Sequence, residues 1–182
     1  MTPATDNQFD SDKSTAERRG HLGVRHSLAR CSESVVEGDV DLMFIAYTEN
    51  VLWLRGLHDF YRREVGDYEL RRLAHPGGRA LGALCLVRDK AIHQLVTFHE
   101  PANKTCSLQP GPAFPDGRIP VWLKSSRTTL QVFREKSDRE KMSDYDVLAG
   151  LPLVSTLMTA RDFLFFSARS GPWPLEEPPA GW

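Results

Sequence analysis

The sequence predicts a mainly α-helical fold, an antiparallel helical bundle with an irregular or β-hairpin insertion before its last helix. Three observations carry this reading: a long helical stripe after residue 34, a second apolar run after residue 79, and a proline-rich interval that separates both from a final apolar stripe. In the first, Val36, Val40, Met43, Tyr47, Val51, Leu54, His58, Tyr61 and Val65 recur at steps of three and four, the period of a helix with one buried face. The stripe ends near Gly66. Gly38 is a candidate break in its first turn, with Asp39 as the alternative cap.

The remaining elements follow in order. Met1 to about Gly20 is polar, with few large apolar residues, and is expected to be a flexible tail; the tail is drawn over residues 1–30. Asp67–Leu73 suits a short helix, and His75-Pro76-Gly77-Gly78 has turn composition. The run from Arg79 is the second main helix, either continuous to about His99 or broken at Asp89, and Pro101 stops it in both cases. An insertion over about 102–141 carries four prolines, and within it Ile119–Leu123 and Thr128–Phe133 suit a small hairpin. Pro152 fits a first helical turn, after which Leu153, Leu157, Leu164 and Ala168 share a face. One bundle domain over 31–170 and a proline-rich tail over 171–182 complete the organisation.

Composition narrows the function classes. A chain of 182 residues with a net charge of −1 suits one soluble domain and argues against nucleic-acid binding by bulk charge, while leaving room for a local basic cleft. Cys31, Cys85 and Cys106 are odd in number and widely spaced, so neither a disulfide framework nor a zinc site is expected. No secretory signal or membrane-length apolar run is apparent, and a cytoplasmic protein is expected, without membrane association.

The local anomaly is Arg88-Asp89-Lys90, three charges within an apolar run. On a continuous helix Arg88 would share a face with Leu81, Leu84, Ile92 and Leu95, and a buried arginine needs a partner or a phosphate. His93 follows. Asp89 and His93, four apart, would stack on one helix face, where the carboxylate orients the imidazole. Arg88 would lie roughly 140° around the wheel from His93, so a straight helix would not aim both at one phosphate. A break at Asp89 or a second subunit would remove that obstacle.

Arginine, a polar Asp, three residues and a histidine, Arg88-Asp89-Lys90-Ala91-Ile92-His93, set in a small helical bundle, resemble the signature of the HEPN (higher eukaryotes and prokaryotes nucleotide-binding) family. The resemblance spans roughly Ser34 to Pro101. It implies a homodimer of four-helix units whose motif helices face one another across a cleft, acting on RNA, with tRNA as one candidate, as a metal-independent ribonuclease. A toxin or host-defence setting with an antitoxin or regulatory protein partner is implied as well. In some toxins of the family a tyrosine two positions after the histidine is modified by a partner; here that position is Leu95, so that control is not implied.

The chemistry gives these residues roles. Histidine can take or give a proton near neutrality, and Arg88 can form paired hydrogen bonds to a phosphorane without losing its own proton. Arg88, Asp89 and His93 are the catalytic candidates; Lys90, His58 and Asn50 are candidate substrate-binding residues, the last two because the first long helix could turn them toward the motif. His58 and Tyr61 also fit the plainer role of satisfied core residues. No metal and no cofactor are expected, since the histidines lack the one-turn spacing of a helical metal site. The competing reading is a non-catalytic HEPN-like module that binds RNA, a nucleotide or a protein partner. A third makes Arg88 and Asp89 a buried structural ion pair.

Overall fold

In the computed structural model the described residues are 6–88, 95–99, 111–123, 145–166 and 168. Among them five helices and a two-stranded sheet follow in the order α1 (Asp6–Glu37), α2 (Val40–Glu64), α3 (Tyr68–Ala74), α4 (Pro76–Arg88), β1 (Val96–His99), β2 (Ile119–Trp122) and α5 (Leu153–Phe166). The protein is mainly helical, as its periodicity predicts.

α1 and α2 form the largest helical hairpin. α1 ends in a Schellman turn: Asp39 donates its backbone N–H to Ser34 at 2.9 Å and Gly38 donates to Val35 at 3.3 Å. Gly38 sits at φ +83°, a left-handed conformation that glycine adopts without strain. Asp39 then caps α2 by accepting from the Leu42 N–H at 2.9 Å. The break at Gly38 and the Asp39 cap are therefore both realised, and Val36 belongs to α1, where it is exposed.

From Asp6 onward the flexible tail expected over residues 1–30 is instead part of α1. Its polar composition hides a seam of small and polar residues at helical spacing, in which Gly20, Val24, Ser27, Cys31 and Val35 are all buried. Small residues let the backbones approach. A Cβ on Gly20 would lie 2.6 Å from a Leu57 methyl, and one on Gly23 2.3 Å from the Trp53 ring. Large apolar residues, the usual mark of a buried face, are not what this interface requires.

α4 packs on α3, α2 and α5. Leu81, Leu84 and Val87 are fully buried, as are Met43, Tyr47 and Leu54 of α2 and Leu153, Leu157 and Ala160 of α5. The His75–Gly78 segment, read as a turn from its composition, instead opens α4, with Pro76 at the first helical position. His75 Nδ1 accepts from the Gly77 N–H at 3.0 Å and so satisfies one of the donors left open at a helix start. Both glycines lie at close crossings: a Cβ on Gly77 would sit 2.4 Å from the Thr159 carbonyl, and one on Gly78 2.3 Å from that of Arg72.

A helix continuous to His99 is ruled out, because Val96–His99 is a strand paired antiparallel with Ile119–Trp122 in the register Val96 to Trp122 and His99 to Ile119. β-branched and aromatic residues at Val96, Thr97 and Phe98 suit a pleated surface better than a crowded helix. The first strand of the expected hairpin is present; its described partner is β1, and Thr128–Phe133 lies outside the described residues. The sheet is tied to the segment before α5, since Trp122 donates to Leu151 at 3.0 Å and accepts from Gly150 at 2.9 Å. Trp122 is fully buried, edge-on to Tyr47. The rest of the 102–141 insertion, Pro101 and the 171–182 tail lie outside the described residues.

Candidate functional site

Arg88 is the last residue of α4 and is exposed. The buried position expected of it is not found. An arginine in a last turn also complements the negative end of the helix dipole. Asp89, Lys90 and His93 lie outside the described residues. The backbone resumes at Leu95, which is fully buried and accepts the Leu123 N–H at 2.8 Å.

Asn50 and His58, expected to face the motif as substrate contacts, are core residues. Asn50 is fully buried against α1, where its Nδ2 donates to the Val24 carbonyl at 2.7 Å and to Ser27 Oγ at 2.9 Å. Its Oδ1 has no hydrogen-bond partner among the described residues. His58 is buried and shares a 2.8 Å hydrogen bond through Nδ1 with Tyr68 Oη. Burial pushes its pKa down to about 4, against a partial opposing pull from Glu69, so the imidazole is neutral at physiological pH. It serves the α2–α3 junction.

A second polar group joins α1 to α2. Tyr61 Oη donates to the carboxylate of Glu17 and lies 2.8 Å from His21 Nε2. Since the phenol proton goes to Glu17, Nε2 is the donor toward the phenol oxygen. Tyr61 stacks on Tyr68 with ring centroids 6.0 Å apart, and His21 meets the edge of Phe165 at 4.2 Å. The polar composition of the segment before Gly23 conceals Glu17 and His21 in the sequence. The signal was the four-residue step Glu17, His21, Arg25 set beside Gly20, Val24 and Ser27, a polar helix rather than a polar coil. This group lies toward the start of α4, near Phe163, whereas Arg88 stands at its far end, about 18 Å along the axis.

The surface bounded by α2, α3 and α4 gathers arginines. Arg55 Nε donates to Asp59 Oδ2 at 2.9 Å. Arg72 Nε donates to Glu69 Oε2 at 2.8 Å, while Arg62 approaches the other oxygen of Glu69 at 3.5 Å. Arg71 pairs with Asp67 at 2.7 Å. Burial pushes the Cys31 thiol up to about 12 and that of Cys85 up to about 11, so neither is a nucleophile at neutral pH. Among the described residues no three His, Cys, Asp or Glu side chains are placed to hold a metal ion, and no helix is long and apolar enough to cross a membrane.

Comparisons with protein-family models, with curated proteins and with solved structures returned no match to this chain.

Proposed function

We propose that the chain is a metal-independent endoribonuclease of HEPN type, working as a homodimer, with Arg88 as the phosphate clamp and His93 as the proton carrier. One observation supports it above the others: α4 ends at an exposed Arg88, and the chain is a strand by Val96. On this reading a break at Asp89 or a second subunit brings Arg88 and His93 to one phosphate. An exposed guanidinium at a helix end is also reachable by a polyanion.

In the reaction the ribose 2'-oxygen attacks phosphorus and the bond from phosphorus to the 5'-oxygen breaks. The 2'-hydroxyl proton passes to a base and the leaving oxygen takes a proton from an acid, giving a 2',3'-cyclic phosphate and a 5'-hydroxyl. His93 suits either proton role, Asp89 orients it, Arg88 meets the charge on the equatorial oxygens, and Lys90 adds a phosphate contact. A toxin or host-defence role with a restraining protein partner belongs to the same reading. The test is incubation with tRNA or total RNA in EDTA: cleavage that disappears in Arg88→Ala and His93→Ala supports it, and no cleavage, or equal cleavage by the variants, overturns it.

A second reading is favoured by one surface. Leu42, Ile45, Leu52 and Trp53 form an exposed apolar row on α2, the kind of face through which a helix docks on another protein. A non-catalytic binding module would retain its RNA or protein ligand in His93→Ala and cleave nothing.

A further inference from the structure

We infer that the outer face of the α1–α2 hairpin receives a second copy of this chain, whose α2 runs antiparallel to that of the first. The inference goes beyond the ribonuclease reading, because this face uses none of the residues proposed to act on RNA. On α2, Leu42, Ile45, Glu49, Leu52, Gly56 and Phe60 recur at steps of three and four, with Trp53 alongside. This stripe is opposite the buried one that runs from Met43 to Tyr61. Leu42, Ile45, Leu52 and Trp53 are all exposed, Ile45 at 59%. An apolar stripe of helical period is the surface that one helix offers to another. From Leu42 to Arg63 it runs about 32 Å, and the two helices of the hairpin make the face about 20 Å wide. That is room for the roughly 800 Å² per partner buried in a stable interface.

The charges say which helix fits. Lys13 pairs with Glu64, Gly23 lies against the Trp53 ring, and Arg30 pairs with Glu49. These contacts fix the register of the hairpin, with Arg19 level with His58, and Glu33 and Glu37 level with Phe44 and Val40. The face is therefore acidic toward its turn, where Glu33, Glu37 and Asp41 are exposed, and basic toward its open end, where Arg19 and Arg63 are exposed. Arg30 and Glu49 cancel one another in between. Among the described residues no ion pair engages Arg19, Glu33, Glu37 or Asp41, and Arg63 donates only its Nε, to the Asp59 carbonyl at 3.1 Å. A face with one acidic and one basic end repels a parallel copy and complements an antiparallel one. Under a two-fold axis level with Val51, Arg19 falls between the partner's Glu33 and the partner's Glu37, and Arg63 falls beside the partner's Asp41. The same axis sets Leu42 against the partner's Phe60 and Ile45 against the partner's Gly56. Gly56 is a socket, since a Cβ there would meet nothing within 4 Å. Leu52 and Trp53 of both copies gather at the axis.

Sedimentation velocity of the full chain across a dilution series should show a dimer that dissociates as it is diluted. Gly56→Leu fills the socket at a position that is open within one copy, and should raise the dissociation constant at least about tenfold. Arg19→Glu should raise it about tenfold, and so should Glu33→Arg combined with Glu37→Arg, because each sets like charges opposite one another. All three charge changes together should return it to within about threefold of the parent. Circular dichroism confirms that each variant is folded; should Gly56→Leu fail to fold, the charge reversals decide. A monomer at every concentration overturns the inference and leaves the apolar row to a different protein. A dimer that none of these changes weakens overturns this surface and keeps a homodimer formed elsewhere on the chain. Weakening by the separate reversals without recovery in their combination overturns the antiparallel register. The ribonuclease reading stands or falls on the cleavage assay alone, so its failure is distinct from the failure of this contact.

Discussion

Tyr61 donates its phenolic proton to the carboxylate of Glu17, a residue only 4% exposed and 44 positions away in the chain. A buried carboxylate is tolerated only where donors surround it, so this bond carries more weight than its net contribution in water would suggest. Tyr61→Phe removes the donor and keeps the ring. It should lower stability by about 1–3 kcal/mol, and adding Glu17→Gln should cost less than the sum of the two single changes. Urea denaturation of the four proteins of the cycle measures this; strictly additive effects would show that the bond contributes nothing of its own.

His58 makes stability depend on pH. Its folded pKa of about 4 lies below the ordinary 6.5, so the unfolded chain binds more protons between those values and stability rises with pH across that window. The contribution is complete above about pH 6.5 and is lost as pH falls toward 4, with a slope of up to about 1.4 kcal/mol per unit from this one group. His58→Gln should flatten the profile between pH 4.5 and 6.5. Identical slopes for the variant and the parent, from chemical denaturation at each pH, would refute the assignment.

Two glycines should respond oppositely to alanine. Gly23→Ala drives a methyl to within 2.3 Å of the Trp53 ring at the α1–α2 crossing, and overpacking of that kind costs about 1–3 kcal/mol. Gly82→Ala meets only the mobile end of Arg72 and gains up to about 1 kcal/mol of helix propensity. Thermal denaturation should give a lower midpoint for the first and an unchanged or higher one for the second.

Arg88 separates the catalytic from the structural reading. Exposed at the end of α4, it should be replaceable by alanine within about 0.5 kcal/mol of parent stability while RNA cleavage is lost. A member of a buried ion pair would instead cost about 3–5 kcal/mol. A large loss of stability in Arg88→Ala would return the residue to the core.

The elements whose buried face is made of large apolar residues were legible: α2 from Met43 to Tyr61, α5 from Leu153 to Leu164, and the turn between α1 and α2 from Gly38 and Asp39. α1 was not, because its contact face is written in Gly20, Gly23, Ser27 and Ser34, residues that composition assigns to coil. β1 was not, because a short apolar run such as Leu95–Phe98 fits a buried helix and a strand equally well until its hydrogen-bond partner is known. That single ambiguity produced the expectation of a buried Arg88. The triplet Arg88-Asp89-Lys90 stands out in the sequence by residue type and spacing alone.

The tight turn at Gly38 also bears on the order of assembly. It closes the α1–α2 hairpin through a connection of two residues, so the most extensive helix–helix interface forms within the first 64 positions at little loop-closure cost. The sheet, by contrast, must join Val96 to Trp122 and both to the segment before α5. During synthesis the hairpin can be complete while Arg88 is still within the ribosome, so the residues proposed as catalytic join a hairpin already standing.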